Sequence, residues 1–586
     1  MSGVDASLAG TQPAIEKIDV RRVRIICWIA FIAIAIVRAW FTRYEFEGDS
    51  VSYLDIARMI AEGHPSAAIS AYWSPGYPVL LSIFLWLFRP TPYWECPLAH
   101  FVNVLMVAGA LASFELFWTE VRRWHKGYAE DYGAEIPETA FWALGYAGFA
   151  IANLNVIPVS RVGPDQLMAA FCYLTGWSVL RFRRAPRVTH ALMLGLVLGL
   201  GYYAKAPLFP MAFIFIVCAC FGLPPSRRTI LLGVTILVVF LLICAPFIAV
   251  LSRAKSRLTF GDAARLSYAF FIDGVQHYEH WQGGPPGSGM PIHPTRKLSG
   301  FPEIYEFSDR TMGSYPPWFD PTYWYQGITP HFNWKLQWKV SSANLLLIFQ
   351  IIIDSAPELI CAAIILVLFA THQGRWIRAV EQFWFIWLPG MVALLMFALV
   401  HIEVRFLGGC LIMLFAGVVC ACWLPASDST RRAIGYIGLA VLITAGASLV
   451  SRVGEEALGA DYAPGRSASH AQIAVFLLNN GLKPGDTVAV IGFGSEAYWA
   501  HLARLHVVAE IPARITMNQA HPALDFWESG SEQQQKALKI LEGTGAKAVI
   551  AGSQISPLGS VPSFIPPGWK KIQGTWAYVY FLHDNT

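Results

Sequence analysis

The stretch VRRVRIICWIAFIAIAIVRAWFTRYEFEGD, Val20 to Asp49, frames the whole chain. Arg21, Arg22 and Arg24 precede the apolar run Ile25–Phe41, and an acid, Asp49, follows soon after it. A helix crossing a bilayer core takes about 20 apolar residues. The run has that length and lacks the small-residue site at which a secretory leader is cut, so it is expected to stay as an anchor with its basic flank in the cytoplasm. Asp49 then falls where membrane meets water on the far side.

The rest of the chain repeats this frame. Of 586 residues, 55% are hydrophobic and 14% charged, against roughly 25% charged in soluble proteins, which excludes a purely soluble or disordered chain. Forty-three Lys and Arg against 39 Asp and Glu leave a net charge of +4, too small a balance to suggest nucleic-acid binding. Further spans are expected near Ala99–Trp118, Phe141–Val159, Leu167–Leu180, Ala191–Ala204, Leu208–Phe221, Ile230–Leu251, Pro357–Phe369, Phe383–Val400, Phe406–Trp423 and Ile434–Val450, about eleven in all. With these spans Arg122/Arg123/Lys126, Arg181/Arg183/Arg184/Arg187, Arg227/Arg228, Arg375/Arg378 and Arg431/Arg432 share the side of the N-terminal arginines, as the positive-inside rule requires. The expected fold is a membrane α-helical bundle with a C-terminal extracytoplasmic α/β domain. Its parts are a cytoplasmic segment 1–24, a polytopic domain 25–451 with outside loops 42–97 and 252–340, a linker 452–468, and alternating β and α patterns over 469–586. Tyr77–Phe88 is too short for a span and fits a re-entrant or interfacial helix. The location follows: a multi-pass protein of a membrane such as the bacterial inner membrane.

Several patterns carry no chemistry. Nine of ten cysteines lie within or against apolar runs and none forms a CxxC pair, which supports neither zinc nor a disulfide framework. Gly492-Phe493-Gly494-Ser495-Glu496-Ala497 has the form of a G-x-G-x-x-A dinucleotide fingerprint, with Glu510 as the only suitably placed acid. A tight strand-to-helix turn is the better account of those glycines, because nucleotide is scarce outside the membrane. His64, His277, His280 and His293 show no ligand spacing.

Four short motifs fall on the outside ends of the expected spans. The first is Asp49, Tyr53, Ala57 and Gly63, followed by Pro75-Gly76-Tyr77-Pro78. The second is Gly163-Pro164-Asp165, opening a span, and the third a glycine-bearing run, Gly195 to Leu200, leading into Lys205-Ala206-Pro207. The fourth is His401-Ile402-Glu403-Val404-Arg405-Phe406. Together, over about two thirds of the chain, they resemble the GT-C membrane glycosyltransferases, the superfamily of protein O-mannosyltransferases and lipid A aminoarabinose transferases. Ser50 stands where a second acid often follows the first, and Phe406 where tyrosine is frequent.

The resemblance implies an integral-membrane enzyme that moves a sugar from a polyprenyl-phosphate-linked donor to an acceptor hydroxyl outside the membrane, with inversion. A neutral hydroxyl needs a carboxylate base, typically worth 10²–10⁴-fold, and Asp49 takes that role. The leaving lipid phosphate calls for fixed cations, which Lys205 and Arg405 supply. Asp165 and Glu403 are candidates for the acceptor or for a metal, and Tyr53 and Tyr77 for the substrate cavity. The partners implied are the lipid-linked sugar, a lipid, glycan or protein acceptor, and the bilayer. No cofactor is required, though a divalent cation between Asp49 and Asp165 stays open. So do plainer readings. Asp49 and Asp165 are good helix N-caps, Lys205 sits where a lysine snorkels to headgroups, and Glu403 and Arg405 can pair with each other. A transporter or lipid flippase is the alternative from another class; it would place ionisable residues near the midplane of repeated, interrupted helices.

Overall fold

A computed structural model describes residues 19–582 except 276–279, 308–311, 371–372, 463, 493, 513, 517–518, 522–523 and 553–565. His277, Phe493 and the N-terminal residues up to 18 lie outside the described residues.

Each expected span falls on a helix: Val20–Phe41, Pro92–Gly127, Glu138–Phe149 with a π-helical continuation Ala150–Val156, Asp165–Arg184, Val188–Ala204, Leu208–Cys220, Arg227–Lys255, Pro357–Phe369, Trp384–Ala398, Gly408–Ala421 and Asp428–Tyr462. Asp19 starts the first helix by accepting Arg21 N at 2.9 Å, which satisfies one of the amides a helix start leaves open. Six described segments, counting Trp334–Ser355, are long and apolar enough to cross a membrane. Large apolar side chains such as Ile26, Ile29, Leu242 and Phe221 stand more than half exposed on these helices, the surface that a bilayer rather than water would cover. Inside, Phe114, Trp118, Phe141, Tyr146, Phe149 and Tyr173 are fully buried and form the aromatic centre of the bundle. Gly195 and Gly199 let helix Val188–Ala204 lie directly on Arg227–Lys255: a Cβ at Gly195 would stand 2.7 Å from Val239 Cβ.

The two ends of the bundle differ. At one, Arg184 meets Glu120 at 3.0 Å, Arg183 donates to Phe221 O at 2.7 Å and Arg228 to Pro186 O at 3.5 Å, so basic clusters from several helices converge. At the other, the first loop forms helix Gly48–Ala61, a 3₁₀ turn Pro65–Ala68 and helix Gly76–Phe88, the last on the stretch expected to be re-entrant or interfacial.

Two boundaries differ from expectation. The segment expected as the end of the second loop opens a helix, Trp334–Ser355. Gln337 and Asn344 hydrogen-bond to carbonyls of residues 398–400, and Ser355 O accepts from Asn155 Nδ2. Because Ala150–Val156 packs against Val404–Leu407, these contacts all lie at the Asp49 end, and the helix runs across that end instead of threading the bundle. The expected linker 452–468 is largely helical, within Asp428–Tyr462 and Pro464–Asn479. Its composition is polar enough for a loop, but helix propensity and the continuing hydrogen-bond ladder keep the chain wound.

The C-terminal α/β region is not self-contained. Its sheet is built from β1 (Arg296–Gly300), β2 (Glu303–Glu306), β3 (Thr487–Gly492), β4 (His506–Pro512), β5 (Ala548–Ala551), β6 (Lys570–Lys571) and β7 (Tyr578–Phe581), in the order β1-β2-β4-β3-β5-β7-β6. β3 runs parallel to β4 and β5. The hairpin β1–β2 comes from the second long loop and extends the sheet, with Tyr305 opposite Glu510. One face of the sheet packs on helix Ser531–Glu542, Phe526 and Trp527. The other joins a single core with Leu54, Ile56, Trp73, Tyr77 and Trp318 of the two long loops.

Candidate active site

Helix Gly48–Ala61 positions the first candidate. Glu47 is its N-cap residue, and Glu47 N donates to Ser50 Oγ at 3.2 Å, so Asp49 stands inside the first turn with its carboxylate free of capping. Oδ1 accepts from Trp318 Nε1 at 3.1 Å. Oδ2 faces two guanidiniums, Arg161 Nη2 at 3.4 Å and Arg405 Nη2 at 3.5 Å.

Arg405 ties the four motifs together. Its Nη2 donates to Glu403 Oε1 at 2.9 Å, its Nε lies 2.8 Å from Glu403 Oε2 as an ion contact without hydrogen-bond alignment, and its Nη1 stands 3.5 Å from Asp165 Oδ2. Asp165 opens helix Asp165–Arg184, caps nothing, and takes Lys205 Nζ on Oδ1 at 2.5 Å. Lys205 therefore turns inward and does not snorkel; it also stands 4.4 Å over the Phe406 ring. Glu403 lies 3.5 Å from Arg161 Nη1 and 3.6 Å from His401 Nε2. Burial pushes its carboxyl up, but the His401 hydrogen bond and the Arg405 and Arg161 charges outweigh that and hold it well below the usual range.

The structure brings together Asp49, Asp165, Lys205, Glu403 and Arg405. Tyr53 and Tyr77 lie buried within electrostatic reach of this cluster, Tyr53 of Asp49, Asp165 and Arg405 and Tyr77 of Asp165. Both are packed, Tyr53 against the Trp73 ring at 5.0 Å and Tyr77 with its hydroxyl on Asn103 Oδ1 at 3.0 Å, so they support the first loop. The Pro75-Gly76 turn owes its glycine to a close approach: a Cβ there would stand 2.6 Å from Tyr203 O, at the end of the helix leading to Lys205.

A divalent cation shared by Asp49 and Asp165 does not fit this donor set. The Arg405 guanidinium already spans the two carboxylates, and Lys205 holds the remaining Asp165 oxygen. Among the described residues no group of three or more His, Cys, Asp or Glu could hold a metal.

Sequence reasoning passed over Arg161, Trp318 and Glu496. Arg161 also pairs with Glu47, and its only signal was a basic residue four positions before Asp165 in a Gly-Pro turn. Glu496 follows Ser495, whose carbonyl lies 3.6 Å from where a Gly48 Cβ would stand, and burial raises its carboxyl to about 7. The turn before it meets helix Gly48–Ala61.

The C-terminal region also grips that helix. Asp55 accepts from Ser314 N and Oγ, both at 2.7 Å, and faces His501 Nδ1 at 2.5 Å. His501 Nε2 meets Glu95, Arg58 pairs with Glu95, and Arg58 Nη1 donates to His501 O at 3.0 Å. Burial lowers the His501 imidazole to about 4, helped by the Arg58 and Arg504 charges and opposed by Asp55. His280, unremarkable in sequence, meets the buried Glu510, which also accepts from the Tyr315 hydroxyl at 3.0 Å.

Comparison with known proteins gives structural likeness only. ArnT from Cupriavidus metallidurans in the apo state aligns with a TM-score of 0.48 and 12% identity over 96% of this chain and 99% of its own. The same protein bound to undecaprenyl phosphate gives 0.48 and 13%, covering 96% and 98%. The Archaeoglobus fulgidus oligosaccharyltransferase tethered to an acceptor peptide containing the NVT sequon gives 0.47 and 12%, covering 91% of this chain and 69% of that one. No family model matches the sequence, and no curated protein does.

Proposed function

We propose that the chain is an integral-membrane glycosyltransferase of the GT-C type, moving a sugar from a polyprenyl-phosphate-linked donor to an acceptor hydroxyl on the extracytoplasmic side, with inversion. One observation carries the reading. A carboxylate fixed by Trp318, Asp49, touches the guanidinium that leads to the Asp165–Lys205 pair. Base and cations thus stand side by side at one end of an apolar bundle, away from the converging arginines.

In this reading Asp49 Oδ2 takes the proton of the acceptor hydroxyl as its oxygen attacks the anomeric carbon. The bond to the lipid phosphate breaks on the opposite face. Charge develops on the departing phosphate oxygen, and Arg405 and Lys205 meet it with donors already in place, so little reorganisation is needed in the transition state. Asp165 and Glu403 hold those cations before the donor arrives, and Arg161 orients Asp49. The acceptor class, lipid, glycan or protein, is left to the assay.

Purified wild type and Asp49→Asn are supplied with a panel of polyprenyl-phosphate sugars and an envelope acceptor fraction, and release of polyprenyl phosphate is followed. Wild type should release it and Asp49→Asn should fall by ~10²–10⁴-fold, with both retained equally in membranes. Equal release by both removes Asp49 as the base. Solute flux into proteoliposomes without any sugar transfer would establish the transporter class instead.

A further inference from the structure

A cavity of about 560 Å³ opens between the end of helix Val20–Phe41, the end of Gly76–Phe88 and the first turns of Pro92–Gly127. That volume lies in the roughly 300–1,000 Å³ range of ligand pockets. None of its lining residues belongs to the Asp49 cluster. Its body is apolar, with Trp40, Phe88, Trp94 and Phe101 in its wall, each about half exposed on the side a bilayer covers. Its lip is cationic: Arg43 and Arg89 both line it. Arg43 is held in place, its Nη1 donating to Trp40 O at 2.6 Å and its guanidinium stacked 4.5 Å from the Trp40 ring and 5.1 Å from that of Tyr44. Among the described residues neither arginine has a carboxylate partner.

Two guanidiniums without counter-charge beside an apolar, aromatic-walled groove match a ligand with an anionic head and a hydrocarbon tail. Arg reads phosphate oxygens through its planar fork, and tryptophan sits at headgroup level. We propose that this groove binds an anionic phospholipid of the surrounding leaflet, its phosphate between Arg43 and Arg89 and an acyl chain along Trp40, Trp94 and Phe101. A zwitterionic lipid brings its own cation towards the two arginines and is disfavoured. The site bears on the chemistry through the chain, because Arg43 lies on the short lead from the first helix to Asp49. That lead is fixed at Glu45, whose carbonyl faces His100 Nε2 at 2.9 Å. The inference stands on this groove and not on the glycosyltransferase reading.

The full chain in detergent is titrated with phosphatidylglycerol or with phosphatidylcholine of the same acyl chains, and bound lipid is counted by native mass spectrometry. Wild type should retain phosphatidylglycerol over phosphatidylcholine by ~25-fold, and Arg43→Gln/Arg89→Gln should lose that preference, at ~5-fold for each cation near a lipid headgroup. Arg89→Gln alone changes an exposed residue beyond its helix end and keeps the test readable if the double variant fails to fold; it should lose ~5-fold. Inorganic phosphate at the same concentration should not displace the lipid. Equal retention of both lipids by wild type, an undiminished preference in Arg89→Gln, or displacement by inorganic phosphate overturns the proposal.

Discussion

Acidification should loosen the grip of the C-terminal region on helix Gly48–Ala61, through His501. In the unfolded chain this imidazole titrates near 6.5. In the folded protein burial and the neighbouring arginines lower it to about 4. A group whose folded value is depressed in its charged form loses stability as pH falls, because between the two values only the unfolded state takes up the proton. The contribution is therefore fully present above about 6.5, declines below that, and at pH 4.5 has lost two units, about 3 kcal/mol at 1.36 kcal/mol per unit. Asp55 adds to the loss only at lower pH, since its carboxyl is held below its ordinary range: burial raises it, but the His501 charge and the hydrogen bonds from His501 and Ser314 outweigh that. The assay is hydrogen exchange of helix Tyr498–Ala503 in detergent, wild type against His501→Gln, from pH 7.5 to 4.5 with exchange rates corrected for pH. Wild-type protection should fall relative to the variant's by about 3 kcal/mol, within the pH 6.5 to 4.5 window. A difference between the two proteins that does not change with pH would refute the reasoning, because it would mean that the imidazole titrates alike in the folded and the unfolded chain; protection that rises on acidification would mean that His501 is charged in the fold.

Three further outcomes are expected. Trp318→Phe keeps the packing against Tyr72 and Trp73 but removes the donor to Asp49 Oδ1, so kcat should fall about 10-fold, the value of one hydrogen bond to a charged group, with membrane yield unchanged. Gly76→Ala sets a Cβ 2.6 Å from Tyr203 O, a backbone atom that cannot swing aside, and should lower thermal stability by roughly 1–3 kcal/mol with transfer lost alongside it. Treatment with EDTA should leave polyprenyl-phosphate release unaltered, because Arg405 and Lys205 occupy the carboxylates that would otherwise hold a cation; loss restored by Mg²⁺ or Mn²⁺ would contradict that.

What the sequence made legible follows from where information is local. Apolar length and basic flanks located the helices that carry the second, third and fourth motifs, because a bilayer imposes its thickness on each segment separately. Asp49, Asp165, Lys205, Glu403 and Arg405 were visible as charges at the ends of apolar runs, where an unpaired charge is costly unless it has a task. Arg161 and Trp318 were not, since each sits in a loop whose path is set by distant contacts and neither breaks a local rule. Tyr53 and Tyr77 show the converse: their spacing marks the motif, yet their role in the fold is to pack. The hairpin β1–β2 is too short and too polar to announce a strand, and its place beside β4 is fixed by the sheet it joins. His501, one polar residue in Tyr-Trp-Ala-His-Leu-Ala, gives no hint that carboxylates from two other segments converge on it.

The shared sheet also orders the life of the chain in time. β2 leaves the ribosome on the order of 200 residues ahead of β4, a wait of about 10–40 s at ordinary elongation rates. During that interval the bundle can insert helix by helix, but the second long loop has no edge to pair with and helix Gly48–Ala61 has no His501 against Asp55. A nascent chain halted before β4 would carry an intact membrane anchor and an unfinished outer face, with Tyr305 and Trp318 exposed to whatever chaperone patrols that surface. Competence would then arrive in one late step, when the last strands close over loops made long before them.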